Sequence, residues 1–268
     1  MQPLAREMAF SETVFMLPPV AGTAQKRLRI FTPGRELAMA GHPTIGSAFV
    51  WAQEYAAGQT PSEIIFELGV GPIRVGFEWQ EASLRFAWMH QPLPVFSETF
   101  TVEASAALVH ALHLPASTVV AATPQMVSSG TPFLFVALSS EAEVDASVPD
   151  AARLTDAFAM AGVPETGVFL FARSTRPGAT FYSRMFAPMF GIQEDPATGG
   201  ASGPLGAYAL TAGLVTIAEA EAMISLQGAK MGRPSYVHIR VAGSPGHVDA
   251  VSIGGTSRFV AEGMLALP

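Results

Sequence analysis

The chain contains no cysteine among its 268 residues. This absence excludes disulfide bonds, metal sites built from thiolates and any mechanism that uses a thiol nucleophile. It also fits a reducing compartment, and we predict a cytoplasmic protein.

Positive charge is scarce, because 15 Lys and Arg residues are set against 22 Asp and Glu residues, for a formal net charge of −7. The longest basic run is Lys26-Arg27. Binding to a phosphate backbone requires concentrated Lys and Arg, so the sequence predicts no nucleic-acid partner.

Long apolar runs are missing too, although 49% of the residues are hydrophobic and only 14% are charged. No stretch approaches the 18 or so apolar residues that a membrane helix needs, and we expect no membrane partner. Residues 1–8 lack a basic stretch followed by an apolar segment, so no signal peptide is expected. The composition predicts a globular protein with one large or two small domains, each with its own core.

Short β-like runs separated by turn residues dominate the first 90 residues. The predicted strands are residues 13–17, 28–32, 63–68, 73–77 and 83–89. The segment QPLP at residues 91–94 then stops the series, because its two prolines cannot continue a sheet ladder. We predict a domain boundary there, with halves at 1–95 and 96–268.

The second half mixes helices with strands. Helices are predicted at 103–112, 151–161 and about 201–214, and strands at 118–122, 132–138, 167–172, 181–186, 235–241 and 250–253, with a last run at 258–262. The last strand is expected to return to the first half.

One pattern occurs in both halves. RIFTP at 29–33 precedes HPTIG at 42–46 and an apolar helix at 47–57, while RMFAP at 184–188 precedes PATGG at 196–200 and an Ala-rich helix. This weak repeat predicts two related domains, with chance similarity as the alternative because few residues are identical.

Both repeats end in a Gly-rich turn that opens a helix. Such helix starts present unpaired backbone N–H groups and attract anions, and glycine lets the backbone approach a ligand closely. Residues 41–44 and 195–200 therefore predict a site for a small carboxylate. The alternative is two capped core helices, with Asp195 and Thr44 as N-caps and Pro196 at the first helical position.

Glu12 directly precedes the apolar run at 13–17. Burial at the mouth of a strand would raise the pKa of its carboxyl toward neutrality, which suits general acid/base catalysis. The alternative is an ordinary solvated Glu at a strand end.

His42 lies at a predicted helix start, where the positive field would keep the ring neutral and able to contact a substrate. A His that bonds a loop carbonyl is the alternative. The other five histidines show no metal-binding pattern, and we predict neither a metal nor another cofactor.

Several segments, in order along nearly the whole chain, resemble the PhzF phenazine-biosynthesis family. They are AREMAFSET at 5–13, RIFTP at 29–33, ELAMAGHPTIG at 36–46, SRMFAP at 183–188, EDPATG at 194–199 and QGAKMGRPS at 227–235.

The resemblance implies an α+β fold of the diaminopimelate-epimerase type, with two pseudo-symmetric domains, each a curled, mostly antiparallel sheet around a central helix, and the site between them. It implies that Glu12 is the catalytic acid/base and that His42 and Asp195 are its polar partners. We add Gly41, Pro43, Thr198, Gly199 and Gly200 as predicted substrate-binding residues. The family's namesake isomerises trans-2,3-dihydro-3-hydroxyanthranilate, and members are often homodimers.

Two features depart from the family pattern. Gly200 stands where the family usually has a serine, so a hydroxyl that would touch the substrate is missing. The family also begins with an extra pair of strands before the helix that carries REM, and we expect a truncated first domain.

The sequence thus predicts a cofactor-independent isomerase that moves a proton on a small cyclic or unsaturated carboxylate. Two alternatives stay open. One is a carboxylate-based racemase or epimerase, and the other is a non-catalytic homologue that binds small carboxylates.

Overall fold

A computed structural model of the chain describes residues 1–20, 22–56, 58–118 and 120–265, without the side chains of residues 98 and 120. The fold is α+β, as predicted. Unit 1 comprises Met1–Leu37, His42–Met89 and Gly254–Pro268, and unit 2 comprises Ala38–Gly41 and His90–Ile253. The predicted division into halves at residue 95 stays a prediction.

The described part of the first 91 residues contains two helices and a sheet. Their elements are α1 (Gln2–Met8), β1 (Thr13–Leu17), β2 (Lys26–Phe31), β3 (Glu36–Leu37), α2 (Gly41–Tyr55), β4 (Glu63–Leu68), β5 (Gly71–Gln80) and β6 (Ser83–Gln91). The strand order is β1-β2-β4-β5-β6, and β3 pairs with β2. Only the β2–β4 pair is parallel among the pairs described here.

Burial along β4 alternates, as expected for a strand with one face on a core. Ile64, Phe66 and Leu68 are buried, whereas the residues between them are more exposed. Helix α2 buries Ile45, Ala48 and Phe49. Ile64, Phe66 and Leu68 therefore form the face of β4 that points to the core of unit 1.

The remaining elements belong to the second half of the chain. They are β7 (Val95–Thr99), α3 (Val102–Ala111), β8 (Val120–Ser128), β9 (Pro132–Leu138), α4 (Glu141–Ala146), α5 (Ala151–Ala161), β10 (Gly167–Arg173), β11 (Phe181–Ala187), β12 (Ile192–Asp195), α6 (Gly199–Thr211), α7 (Ile217–Ala220), β13 (Met223–Gln227), β14 (Ser235–Ser244) and β15 (His247–Gly255). The strand order is β15-β14-β13-β11-β10-β9-β8-β7, and β12 pairs with β11.

Strand β9 is buried on both faces, which explains its continuous apolar sequence PFLFVAL. Leu134, Val136 and Leu138 face a core cluster that includes residues of α3 and α5. Phe133 and Phe135 face a second cluster that includes residues of α6. The sheet of unit 2 therefore lies between two hydrophobic layers.

Helix α6 is the central helix of unit 2, and its residues from Ala201 to Leu210 are all buried. Its glycines allow this close packing. A Cβ built on Gly206 would lie 2.7 Å from side-chain atoms of both Ile239 and Met223. A larger residue at this position would push α6 away from the sheet.

Most predicted elements are present within the described residues. The strands at 13–17, 63–68 and 132–138 and the helix at 151–161 have the predicted bounds. The run noted at 258–262 is not a strand, because residues 256–265 have no regular secondary structure. Ala57, in the predicted helix 47–57, and Val119, in the predicted strand 118–122, lie outside the described residues. None of the described helices has both the length and the apolar character needed to cross a membrane.

Candidate active site

Glu12 and His42 form a close pair in unit 1. Glu12 lies one residue before β1, and His42 lies in the first turn of α2. The Nε2 atom of His42 is 3.0 Å from Oε2 of Glu12, and the two side chains are 50% and 17% exposed, respectively. A largely buried carboxylate thus contacts an imidazole that solvent can reach.

The expected rise in the pKa of Glu12 is wrong. Burial of the carboxyl does raise its pKa, but the contact with His42 and a hydrogen bond from Ser11 outweigh burial, and the net pKa is lowered. Glu12 is therefore a carboxylate at neutral pH, in the form that accepts a proton.

The pair opens onto a cavity of about 380 Å³, lined entirely by residues of unit 1. Apolar side chains form much of its wall: Val14, Met16, Pro43, Phe49, Val50 and Phe259. A cavity of this size and character is typical of a small-molecule site.

The chain segment after β15 completes the wall with Ser257, Arg258 and Phe259. A Cβ built on Gly46 would lie 3.9 Å from Oγ of Ser257, which shows how near this segment lies to α2. Sequence reasoning missed Arg258, because nothing in the run at 258–262 indicates a site residue. Arg258 is a cationic residue in the same lining as Glu12.

In unit 2, the turn at residues 195–200 has a different structure from a simple capped helix start. Helix α6 begins at Gly199 with Thr198 as its N-cap, so Asp195 is not the N-cap and Pro196 is not the first helical residue. Thr44 likewise lies inside α2 and not at its start. The alternative of two helices capped by Asp195 and Thr44 is wrong.

The hydroxyl of Thr198 donates to Oδ2 of Asp195 at 2.6 Å. It does not cap α6. The amides of Ala201 and Ser202 donate to the carbonyl oxygen of Thr198, at 3.0 and 3.1 Å. Within the described residues, no hydrogen bond uses the amides of Gly199 and Gly200. These two N–H groups lie at the positive end of the α6 dipole, the end of a helix at which anions are stabilised.

Two side-chain amides hold this turn. Gln91 donates from Nε2 to the carbonyl oxygen of Gly199 at 3.1 Å. Gln227, at the end of β13, accepts from the amide of Thr198 at 3.0 Å and donates from Nε2 to Thr198 Oγ1 at 2.9 Å and to the carbonyl oxygen of Asp195 at 2.6 Å. We had no reason from the residues alone to assign Gln227 a role, although it lies in a segment that resembles the family.

Glu194 has a structural partner. Both oxygens of its carboxylate accept from the guanidinium of Arg184, at 3.0 and 2.8 Å. This pair is nearly buried, with side chains 13% and 10% exposed. Glu194 therefore anchors the strand that leads into the turn.

The structure groups the predicted site residues by unit. Glu12, His42 and Pro43 line the cavity of unit 1. Gly41, Asp195, Thr198, Gly199 and Gly200 belong to unit 2, where a Cβ built on Gly41 would lie 2.6 Å from Cα of Gly199. That both groups serve one ligand stays a prediction. Within the described ranges, no three side chains of His, Asp or Glu form a metal-binding cluster.

Comparison of the sequence with known proteins finds one family model and several relatives that match nearly the whole chain. The model of the PhzC-PhzF family, described as phenazine biosynthesis-like protein, matches residues 1–263. Trans-2,3-dihydro-3-hydroxyanthranilate isomerase of Pseudomonas aeruginosa is 35% identical over 263 residues, which cover 98% of this chain and 87% of the relative. The enzyme of the same name from Pseudomonas chlororaphis is 32% identical, with 100% of this chain and 88% of the relative covered.

Solved structures extend the comparison to the fold. A Pseudomonas aeruginosa protein described as a predicted epimerase matches with a TM-score of 0.80 and 26% identity, covering 100% of this chain and 88% of its own. A PhzF-family protein of Bacillus anthracis matches with a TM-score of 0.81 and 23% identity, covering 96% of this chain and 85% of its own. A hydroxyproline epimerase of Agrobacterium vitis matches with a TM-score of 0.60 and 11% identity, covering 91% of this chain and 71% of its own. The last two similarities establish the epimerase-like fold.

Proposed function

Because the chain belongs to the PhzC-PhzF family of phenazine biosynthesis-like proteins, we propose that it moves a proton between two carbons of a small cyclic or unsaturated carboxylate. Relatives that match almost the whole chain are isomerases by name, and this chain is an isomerase of that family. The observation that carries the mechanism is the pairing of Glu12 with His42 at a cavity in unit 1.

Glu12 acts as both base and acid. Its carboxylate takes a proton from one substrate carbon, and the electron pair left behind shifts the double bond along the substrate. Protonated Glu12 then returns the proton to a second carbon, so that substrate and enzyme end with the protons they began with. The lowered pKa of Glu12 keeps the proton-accepting form populated before each turnover.

His42 orients Glu12 and contacts the substrate. The Nε2 atom of His42 lies 3.0 Å from the carboxylate of Glu12, and the His42 side chain is half exposed. The same side chain can therefore contact both Glu12 and a bound ligand. Pro43 forms part of the apolar wall beside it.

We assign binding of the substrate's polar groups to Asp195, Thr198 and the amides of Gly199 and Gly200, with Gly41 as a close-packed neighbour. Support comes from the two amides without partners in the described structure and from the dipole of α6. Arg258 adds positive charge to the lining that contains Glu12, which favours an anionic substrate.

The test uses trans-2,3-dihydro-3-hydroxyanthranilate in D2O, with deuterium incorporation and double-bond migration followed by NMR and mass spectrometry. Glu12→Gln should abolish turnover and leave the affinity for anthranilate, a carboxylate that cannot react in this way, within about tenfold of wild type. Glu36→Gln is the matched control, since Glu36 is an exposed carboxylate of unit 1 that pairs with Arg29, and its turnover should match wild type.

Full activity of Glu12→Gln would remove Glu12 from the mechanism. Deuterium at a stereocentre without double-bond migration would indicate a racemase or epimerase. Binding without any exchange would indicate a carboxylate-binding homologue. A cytoplasmic location and a homodimer remain predictions, the first from the composition and the second from the family resemblance.

A further inference from the structure

We infer that Gln227 is the positioning residue of the turn at 195–200: its side-chain amide orients the hydroxyl of Thr198, and through it the carboxylate of Asp195. The inference rests on the proposed function, which gives Asp195 a role in binding the substrate. Gln227 is fully buried, so none of its contacts competes with solvent.

Hydrogen-bond direction explains why a glutamine occupies this position. Oε1 of Gln227 accepts from the amide of Thr198 at 3.0 Å, which fixes Nε2 toward the turn. Nε2 then donates to Oγ1 of Thr198 at 2.9 Å. Because Oγ1 accepts from this amide, its own hydrogen is directed to Oδ2 of Asp195, 2.6 Å away. The bonds therefore run in one direction, from Gln227 through Thr198 to Asp195.

A glutamate or a leucine would change this arrangement. A glutamate at position 227 has no N–H to donate, and when it is ionised its carboxylate would compete with Asp195 for the Thr198 hydroxyl hydrogen. A leucine would fill the space, but it would leave the amide of Thr198 and the carbonyl of Asp195 without the bonds that Gln227 makes. Either change frees the carboxylate of Asp195 to turn.

The backbone after Gln227 holds the amide in place. Gly228 has a φ of +73°, and a Cβ built on it would lie 2.8 Å from the carbonyl oxygen of Pro196 and 2.4 Å from that of Arg233. Only glycine allows this approach. The end of β13 therefore lies directly against the turn, and Gln227 has little freedom to move away from Thr198.

The first experiment measures turnover of trans-2,3-dihydro-3-hydroxyanthranilate by wild type, Gln227→Leu, Asp195→Asn and the double variant. Gln227→Leu should lower kcat by about tenfold or more, because a small misplacement of a substrate-positioning group is costly. In the Asp195→Asn background the same change should cost less than about twofold, since the group that it positions is already gone. Equal losses in both backgrounds would overturn the inference.

Ser225→Ala is the matched control. Ser225 is also fully buried on β13, and the partner of its hydroxyl is the hydroxyl of Ser183, 2.8 Å away, and not Thr198 or Asp195. Its kcat should stay within about twofold of wild type. Gln227→Glu should show a loss similar to Gln227→Leu at a pH at which the new carboxyl is ionised, and wild-type kcat of the glutamate variant at that pH would contradict the hydrogen-bond direction.

A crystal structure of Gln227→Leu gives a readout that needs no activity. The contact between Thr198 Oγ1 and Asp195 Oδ2 should be lost, and its retention at 2.6 Å would overturn the inference.

The proposed function and the role of Gln227 can fail separately. Turnover by Glu12→Gln would refute the role of Glu12 and leave the Gln227 results standing. If wild type does not turn over this compound, the crystal structure alone decides the role of Gln227.

Discussion

Two glycines at helix starts, Gly41 and Gly200, differ in the space around them. A Cβ built on Gly41 would lie 2.6 Å from Cα and 2.8 Å from the carbonyl carbon of Gly199, whereas one on Gly200 would meet only Phe133, at 3.8 Å. Backbone atoms cannot move aside as a flexible side chain can. The two glycines should therefore respond differently to the same substitution.

Gly41→Ala should lower the free energy of unfolding by about 1–3 kcal/mol, the usual cost of overpacking. Gly200→Ala should change it by less than about 0.5 kcal/mol. Urea unfolding of both variants measures the difference. Equal stability of the two variants would mean that the backbone near Gly199 can shift, and that the close packing of Gly41 is not required.

Single residues also show where sequence reasoning ends. Glu12 could be identified because a carboxylate before an apolar strand is unusual and its segment resembles a known family. The direction of its pKa shift could not be predicted, since it depends on a contact with His42 across 30 positions of the chain. The role of Gln227 could not be predicted for the same reason, because its side-chain amide bonds to Thr198, 29 residues away in the chain.

Arg184 connects three elements of unit 2. It lies on β11, forms two hydrogen bonds with Glu194 on β12, and donates from Nη1 to the carbonyl oxygens of Val144 and Asp145 at 3.1 and 3.2 Å, at the end of α4. One buried guanidinium thus satisfies carbonyls at a helix end and holds the strand before the turn.

Arg184→Met should destabilise the chain by about 3 kcal/mol or more, because it leaves the carboxylate of Glu194 nearly buried without its cation. Arg29→Met is the matched control, since Arg29 makes a similar pair with Glu36 at the surface. Its unfolding midpoint in urea should move much less. If both variants shift the midpoint equally, burial does not determine the strength of these pairs.

Whole elements could be predicted where local pattern is strong. The alternating strand β4 and the continuous apolar strand β9 were found with their bounds. Strand β13 was missed because it is short and carries buried polar residues, Ser225 and Gln227, whose partners are distant in sequence. The run at 258–262 has a strand-like composition but no strand partner in the described structure.

The stability of the whole chain should depend on pH in the acid range. Five carboxyl groups among the described residues have a lowered pKa: Glu12, Glu36, Glu141, Asp150 and Glu219. The pKa of Glu219 falls to about 2, first because the amide of Thr216 donates to it and then because of Arg173. Unfolding releases these carboxylates to ordinary pKa values, so the unfolded chain binds more protons in this range.

Stability should therefore be complete above about pH 4.5 and fall as the pH drops toward about 2. Urea midpoints measured between about pH 7 and pH 3 test this expectation. Glu219→Gln removes one of the five groups, and its stability should decline less steeply over the same range. A midpoint that stays constant down to about pH 3 would contradict the prediction.

The Thr198 hydroxyl that points to Asp195 has one more consequence. Helix α6 has no side-chain cap at this residue, because the hydroxyl is engaged with Asp195. An anion that accepts from the amides of Gly199 and Gly200 would take the place of that cap. Substrate would then stabilise the fold while it is bound, and each product release would remove that stabilisation.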